Sequence, residues 1–103
     1  GCFQAYLYSR RKVESANCIY CGAAEDTAEH TLFRCTRWDK ERQVLQKEIE
    51  HKLTVDNMVS HMLSSSTGWE GVKDMVAKIM QRKEEDERMR QAQNAQEISH
   101  QED

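Results

Sequence analysis

The 103-residue sequence contains no proline, so no proline-induced break interrupts its helical patterns. It also has no internal repeat and no apolar run near the roughly 20 residues of a membrane-spanning helix. No signal peptide is visible, and we expect no membrane partner. A chain of this length suits one small domain with a limited core, which a metal would help to stabilise. Because it begins at Gly1 rather than Met, we expect a fragment of a longer protein.

A general excess of positive charge is also missing, because the formal net charge is −3. The charge is uneven along the chain: residues 1–17 carry +2, residues 18–35 carry −2 and residues 81–103 carry −3. This distribution excludes a uniformly basic nucleic-acid binder. Any contact with phosphates would have to come from a local basic patch.

Apolar periodicity predicts a mainly α fold, in which a small irregular, cysteine-rich knuckle is followed by two or three amphipathic helices. We expect helices over residues 3–12, from Thr36 to about residue 53, over 54–63 and from Thr67 onward, after a loop at 64–68. The predicted division is an N-terminal helix and lead-in (1–17), the knuckle (18–35), a helical segment (36–80) and a charged helical extension or disordered tail (81–103), with disorder expected after about Gln93.

The segment from Cys18 to Cys35, here called the CCHC segment, has the spacing Cys-x2-Cys-x8-His-x4-Cys. A Cys-x-x-Cys turn can place two sulfurs on one side of a tight loop, and Gly22 allows the positive φ that such a turn needs. His30 and Cys35 would complete a tetrahedron. The predicted ligands of one Zn²⁺ are therefore Cys18, Cys21, His30 and Cys35.

Two alternatives to a metal remain at this point, a disulfide framework and simple buried cysteines. A thioredoxin-like redox site is disfavoured because the βαβ context is missing. If the metal is zinc, four protein ligands leave no open position, so the site is structural. A zinc deaminase would need Glu two residues after the histidine, where this chain has Leu32. We predict no catalytic residue.

The stretch GCFQAYLYSRRKVESANCIYCGAAEDTAEHTLFRCTRWDKER resembles the region downstream of the reverse transcriptase in non-LTR retrotransposon polyproteins of arthropods. The matching features are a Gly-x-Phe-x-x-Tyr-Leu helix, Cys-x-x-Cys-Gly, Glu-His-x-x-Phe-x-Cys and a helix that begins with tryptophan. WEGVKDMVAKIMQRKEEDE resembles the C-terminal helix of such proteins. Ile19 and Thr36 stand where the family often has proline, but neither is a ligand. No Asp-Asp polymerase pair is present.

The resemblance implies the same four zinc ligands and a parent protein that is an RNA-directed DNA polymerase with an endonuclease. It also implies a nuclear and cytoplasmic ribonucleoprotein, with RNA, DNA and the rest of the polyprotein as partners. One hypothesis is a nucleic-acid-binding accessory module, for which aromatic and basic residues near the metal are candidates. These candidates are Tyr20, Arg10, Arg11, Lys12, Arg34 and Arg37. The alternative is a structural module that binds only protein, through its zinc-stapled amphipathic helices.

Overall fold

The chain is mainly α-helical, as the sequence predicts. The computed structural model describes the backbone of residues 2–11 and 13–102, and side chains as far as Gln93. Helices account for 71% of the described residues, which also contain one isolated antiparallel bridge, Asn17 to Glu25, but no strand. The elements in chain order are α1 (Gln4–Ser9), a π-helical turn (His30–Arg34), a 3₁₀ turn (Thr36–Trp38), α2 (Asp39–Ile49), α3 (Val55–Ser64) and α4 (Ser66–Glu102). None of the described helices is both long and apolar enough to cross a bilayer.

Helix α1 is shorter than the helix predicted over residues 3–12, because it ends at Ser9. Arg11 then takes a left-handed conformation, with φ of 57°, which ends the helical path. The buried face consists of Gln4 and Leu7, while Tyr6 is about half exposed. The apolar periodicity therefore predicted the position of α1, but the polar residue Gln4 occupies part of its buried face.

Side-chain and backbone caps define the connection between α2 and α3. Glu50, with φ of 66°, takes the left-handed position after α2 and donates its N–H to the carbonyl of Gln46. The side chain of Gln46 accepts the N–H of Leu53 at 2.9 Å. Thr54 and Asn57 then form a reciprocal capping box at the start of α3. These bonds fix the short turn between α2 and α3.

Helices α3 and α4 form a hairpin with only Ser65 between them, so the loop predicted over 64–68 is shorter than expected. The Ser65 hydroxyl accepts the N–H of Gly68 at 2.9 Å. A Cβ on Gly68 would lie 2.1 Å from the backbone oxygen of His61, so only glycine permits this close crossing. The backbone of α4 continues as a helix to Glu102.

The hydrophobic core joins the CCHC segment to α2 and α4. Its buried members are Cys18, Cys35, Trp38, Leu45, Leu53, Val72, Met75 and Ile79. On α4 the buried positions recur at the three- and four-residue spacing of one helical face. Lys83 and Glu87 continue that face beyond Ile79 and are also buried, so the inner face of α4 changes from apolar to ionic. Trp69, three residues before Val72 on α4, is 48% exposed although its spacing would continue this face.

Candidate metal centre

The structure brings the four predicted metal ligands together. One donor atom from each of Cys18, Cys21, His30 and Cys35 lies within 4.8 Å of the other three. Cys18, His30 and Cys35 are buried and Cys21 is half-buried. Residues 17 positions apart in the chain therefore converge on one point at the edge of the core.

Two of the six distances between the donors lie close to the edges of a tetrahedral zinc site, and the others are at most 4.8 Å. Cys18 Sγ lies 3.7 Å from Cys35 Sγ, and Cys21 Sγ lies 3.3 Å from His30 Nε2. With usual Zn–S and Zn–N bond lengths, a regular tetrahedron has edges of about 3.8 Å between sulfurs and about 3.6 Å between sulfur and nitrogen. The four cysteines are free thiols, so the disulfide alternative is not the state of this structure. The donor set and its geometry fit zinc.

A tight turn presents the first two sulfurs. Cys18 donates its N–H to Ala24 O and accepts the N–H of Gly22, both at 2.9 Å. Gly22 has a φ of 68°, the left-handed conformation that the sequence predicted for this glycine. Because the turn is closed by backbone bonds, it needs no side chain to hold Cys18 and Cys21 on the same side.

The other two ligands flank a π-helical turn that α2 holds in place. The N–H of Cys35 binds the carbonyl of His30 at 2.7 Å, which closes the wider π-type loop. The buried guanidinium of Arg42 donates to Thr31 O at 3.0 Å and to Cys35 O, and also to Asp39 Oδ1 at 2.8 Å. Arg42 thus donates hydrogen bonds to two carbonyls of the turn segment and fixes the position of Cys35 relative to α2.

Thr36 and Asp39 have the three-residue spacing of a capping box, but they do not form one. A 3₁₀ turn occupies Thr36–Trp38, and no side chain caps the N-terminus of α2. Asp39 binds Arg42 instead. The segment after Cys35 is therefore held by hydrogen bonds from the Arg42 guanidinium and not by a side-chain cap.

The protein environment shifts the pKa of the half-buried Cys21 thiol and that of the buried Cys35 thiol in opposite directions. A hydrogen bond from the Ala23 N–H lowers the pKa of Cys21, with further bonds from neighbouring thiols. Burial raises the pKa of Cys35 to about 11, although the N–H of Arg37 donates to this sulfur and opposes the rise. A bound divalent cation is the charge that would stabilise thiolates at both positions.

A buried ionic cluster attaches the CCHC segment to α1 and α4. Asp26 is fully buried, and its Oδ2 accepts the Gln4 N–H at 2.7 Å and the Lys83 Nζ at 2.6 Å. The Gln4 side chain donates in turn to Glu87 Oε2 at 3.0 Å. Asp26 also donates its own N–H to Ala16 O at 2.9 Å. One carboxylate therefore connects three parts of the chain.

Tyr20, the aromatic residue among the candidates for nucleic-acid contact, is half-buried against the protein. Its hydroxyl donates to Asp86 Oδ2 at 2.7 Å, and its ring meets Trp38 edge to face with centroids 5.2 Å apart. Burial and the bond to Asp86 raise the pKa of Tyr20. Phe33 also packs against the core, and Trp38 is 1% exposed. These three aromatic side chains make protein contacts, which leaves little free ring surface for bases.

The basic residues after α1 are exposed where the structure describes them. Arg10 and Arg11 follow α1 and both lie in solvent, and no ion pair involves either of them within the described residues. Lys12, the third predicted member of this basic patch, lies outside the described residues. The two arginines therefore remain available for a phosphate contact.

The two arginines near the CCHC segment make weaker or different contacts. Arg34 lies 3.3 Å from Glu29, and both side chains are more than 60% exposed, so this pair contributes little to stability. The Arg37 guanidinium lies over the Trp38 ring, 4.5 Å from its centroid, and 5.7 Å from that of Tyr20. Arg37 thus combines a cation–π contact with an exposed position.

The sequence did not indicate which residues attach the CCHC segment to the helices. Asp26 looked like one acid in an acidic loop, Arg42 like a surface charge of α2 and Lys83 like part of a solvated extension. One signal was available for Lys83, because it continues the spacing of Val72, Met75 and Ile79. The partners of Asp26 and Arg42 depend on tertiary contacts that no local pattern shows.

Comparison with known proteins identifies no relative: no family model, curated protein or solved structure matches the chain. The geometry of the CCHC segment and the motif resemblance are therefore the grounds on which a function can be proposed.

Proposed function

We propose that this chain is a small zinc-stapled accessory module, in which Cys18, Cys21, His30 and Cys35 bind one structural Zn²⁺. The convergence of their four donor atoms within 4.8 Å is the observation that supports this. Four protein ligands leave no position for a catalytic water. The ion would crosslink two parts of the chain, because two ligands come from the turn at residues 18–22 and the other two from the ends of the π-helical turn.

Metal analysis tests the zinc site. Protein purified without chelator should contain one zinc per chain, and Cys21→Ser should lose the metal and part of its helical circular dichroism signal. Cys2 provides a matched control, because it is a buried cysteine outside the cluster. Cys2→Ser should keep the zinc. A metal-free wild-type chain that folds normally even when zinc is added would refute this proposal.

The resemblance supports a more specific origin, the C-terminal accessory segment of a retrotransposon reverse transcriptase polyprotein. The supporting pattern is the order of motifs, in which a Tyr-Leu helix precedes the CCHC segment and a tryptophan-led helix follows it. Polymerase and endonuclease activity would belong to other parts of that polyprotein. Sequencing the genomic reading frame upstream of the codon for Gly1 tests this origin, since a Tyr/Phe-x-Asp-Asp motif should be encoded there. A continuous frame that lacks a polymerase would contradict it.

We propose that the module aids binding of an RNA or DNA template or target. Arg10, Arg11 and Arg37 carry this proposal best because they are exposed basic residues, and Arg34 joins them if its exposed pair with Glu29 opens. Tyr20 is a weaker candidate than its sequence position indicated, since Asp86 and Trp38 engage it. Contact would therefore be mainly with the phosphate backbone rather than by base stacking.

Titration with labelled single-stranded RNA and DNA at low and moderate salt tests this role. Arg10→Ala with Arg11→Ala should weaken binding and reduce the salt slope by about 1.4, or about 0.7 for each lost phosphate contact. Lys73→Ala is the matched control because Lys73 is an exposed basic residue on α4. The control should retain the wild-type slope. Absence of binding at low salt would exclude a nucleic-acid role.

One observation favours the alternative function, a module that binds only protein. Val55, Val59 and Leu63 lie on one face of α3 at four-residue spacing, and they are 53%, 42% and 81% exposed. Co-expression with the polypeptide encoded upstream in the same frame tests this. A stable complex that Leu63→Glu disrupts, together with no nucleic-acid binding, would favour this function over the first.

A further inference from the structure

The three cysteines of the candidate metal centre differ in their access to solvent. Cys18 and Cys35 are 3% and 1% exposed, whereas Cys21 is only half-buried. Gly22 and Ala23, which follow Cys21 in the chain, are exposed. A Cβ on Gly22 would have no other atom within 4 Å, so the space beside this turn is open. A small solute therefore reaches Cys21 more readily than the other two cysteines.

The sulfurs of these cysteines also lie close enough to form bonds with one another. Every donor atom of the cluster lies within 4.8 Å of the others, and the sulfurs of Cys18 and Cys35 are 3.7 Å apart. Because a disulfide joins sulfurs at about 2.05 Å, an approach of less than about 3 Å connects any pair. A solvent-accessible cysteine next to a second thiol is the arrangement found in redox-sensitive proteins.

We propose that Cys21 is a redox modification site, which hydrogen peroxide oxidises and which then forms a disulfide with Cys18. The Cys21 thiolate attacks one oxygen of the peroxide, so that an S–O bond forms, the O–O bond breaks and hydroxide leaves. The Cys18 thiolate then attacks the sulfur of the resulting sulfenic acid, which forms the S–S bond and expels a second hydroxide. The two sulfurs lose two electrons in total, and the peroxide gains them.

Cys18 is the partner because it shares a backbone turn with Cys21. The N–H of Gly22 donates to Cys18 O at 2.9 Å, and this bond closes the turn without involving either sulfur. Cys35 is held instead on the other segment, where Arg42 of α2 donates to its carbonyl. When the cluster opens, Cys18 therefore stays beside Cys21, while Cys35 remains attached to α2.

Oxidation removes the crosslink that the proposed zinc site provides, and this consequence rests on the proposed function. A disulfide between Cys18 and Cys21 uses two of the four donors, and the remaining pair, His30 and Cys35, is too few for a structural zinc site. The new bond lies within one turn, so it does not replace the connection to the π-helical turn. Because a thiol reductant cleaves a disulfide by exchange, the change is reversible.

Treatment of the zinc-loaded full chain with hydrogen peroxide tests the proposal. Free thiols are then alkylated under denaturing conditions, and tryptic peptides are identified by mass spectrometry. Trypsin cleaves after Lys12 and Arg34, so a disulfide between Cys18 and Cys21 lies within the peptide 13–34, whereas a disulfide to Cys35 joins two peptides.

The disulfide within the peptide 13–34 should form first, and a chromophoric indicator should record zinc release in proportion to it. Cys2 is the internal control, because it is buried outside the cluster and should stay reduced. Reductant with added zinc should restore the starting protein. In the wild-type chain, a first disulfide that includes Cys35, or a Cys21 thiol that stays reduced while Cys2 is oxidised, would overturn the proposal.

Two variants that each lack one zinc ligand provide a matched pair. Cys35→Ser should still form the disulfide within the peptide 13–34. Cys18→Ser should accumulate the sulfenic acid at Cys21, which dimedone traps. Loss of the disulfide in both variants to the same extent would contradict the role given to Cys18. A chain that forms this disulfide but carries no zinc before oxidation would refute the zinc site and support the modification, so the two proposals fail separately.

Discussion

The carboxylate of Asp26 and the ammonium of Lys83 form a buried ion pair with an O–N distance of 2.6 Å across 57 positions of sequence. Their side chains are 0% and 2% exposed. Asp26 belongs to the CCHC segment and Lys83 to α4, so the pair attaches the candidate metal centre to the longest helix. Phe3 covers it, with its ring centroid 5.1 Å from Lys83 Nζ.

Loss of the lysine charge should destabilise the fold strongly. Lys83→Met keeps the length of the side chain but leaves the Asp26 carboxylate buried without its cation, which we expect to cost about 3–5 kcal/mol. The measurement is urea unfolding of the zinc-saturated protein followed by circular dichroism.

Two further variants separate the charge from the shape of this site. Asp26→Asn combined with Lys83→Met removes both charges, and we expect it to be more stable than Lys83→Met alone. Lys73→Met changes an exposed lysine of the same helix and should alter the unfolding free energy by less than about 0.5 kcal/mol. A Lys83→Met protein as stable as this control would show that the pair contributes nothing.

The sequence predicted those features that depend on neighbours in the chain. Spacing indicated which four residues gather around one point, because a turn and a short helix bring nearby ligands together. Apolar periodicity indicated α2, α3 and the first half of α4. The continuation of the buried face through Lys83 was missed because charged residues are rarely buried unless paired, and the partner Asp26 lies far away in sequence.

Arg42 should act as a positioning residue for the metal ligands. Arg42→Met removes the bonds to the carbonyls of Thr31 and Cys35, so we expect zinc affinity to fall by about 10–100-fold. Arg42→Lys should recover only part of this loss, since one ammonium cannot replace the guanidinium fork. Competition with a chromophoric chelator measures the affinity.

The control for Arg42 is an arginine that contacts no part of the CCHC segment. Arg88 is exposed on α4, and Arg88→Met should bind zinc like the wild type. Equal zinc affinity for Arg42→Met and Arg88→Met would mean that the backbone turn holds Cys35 without help from α2.

Chelation of the metal should expose Trp38. This side chain is 1% exposed and belongs to the same core cluster as Cys18 and Cys35, whereas Trp69 is already 48% exposed. In a Trp69→Phe protein, excess chelator should therefore shift the fluorescence emission to longer wavelength, and zinc should restore it. In a Trp38→Phe protein the shift should be small. Similar shifts from both variants would indicate that metal loss unfolds the whole chain rather than the part around Trp38.

Two glycines of α4, Gly68 beside α3 and Gly71 beside α2, should differ in how substitution by alanine changes the stability of the fold. A Cβ at Gly68 would lie 2.1 Å from the backbone oxygen of His61, which cannot move without separating α3 from α4. A Cβ at Gly71 would lie 3.2 Å from Glu48 Oε2, the mobile end of a side chain, and 3.6 Å from Leu45 Cδ1. Both glycines lie within α4, so alanine has a propensity advantage of up to about 1 kcal/mol at Gly71, and a smaller one at Gly68 in the first turn.

Thermal unfolding of the two variants separates the effect of the close contact between α3 and α4 from the effect of helix propensity. Gly68→Ala should lose at least about 1–3 kcal/mol, the usual range for overpacking. Gly71→Ala should be as stable as the wild type or gain up to about 1 kcal/mol, because Glu48 can turn aside. If Gly68→Ala instead gained stability, α3 would not cross α4 as closely as the structure shows. The difference between the two variants reports mainly on this close contact, since the substitution and the helix are the same.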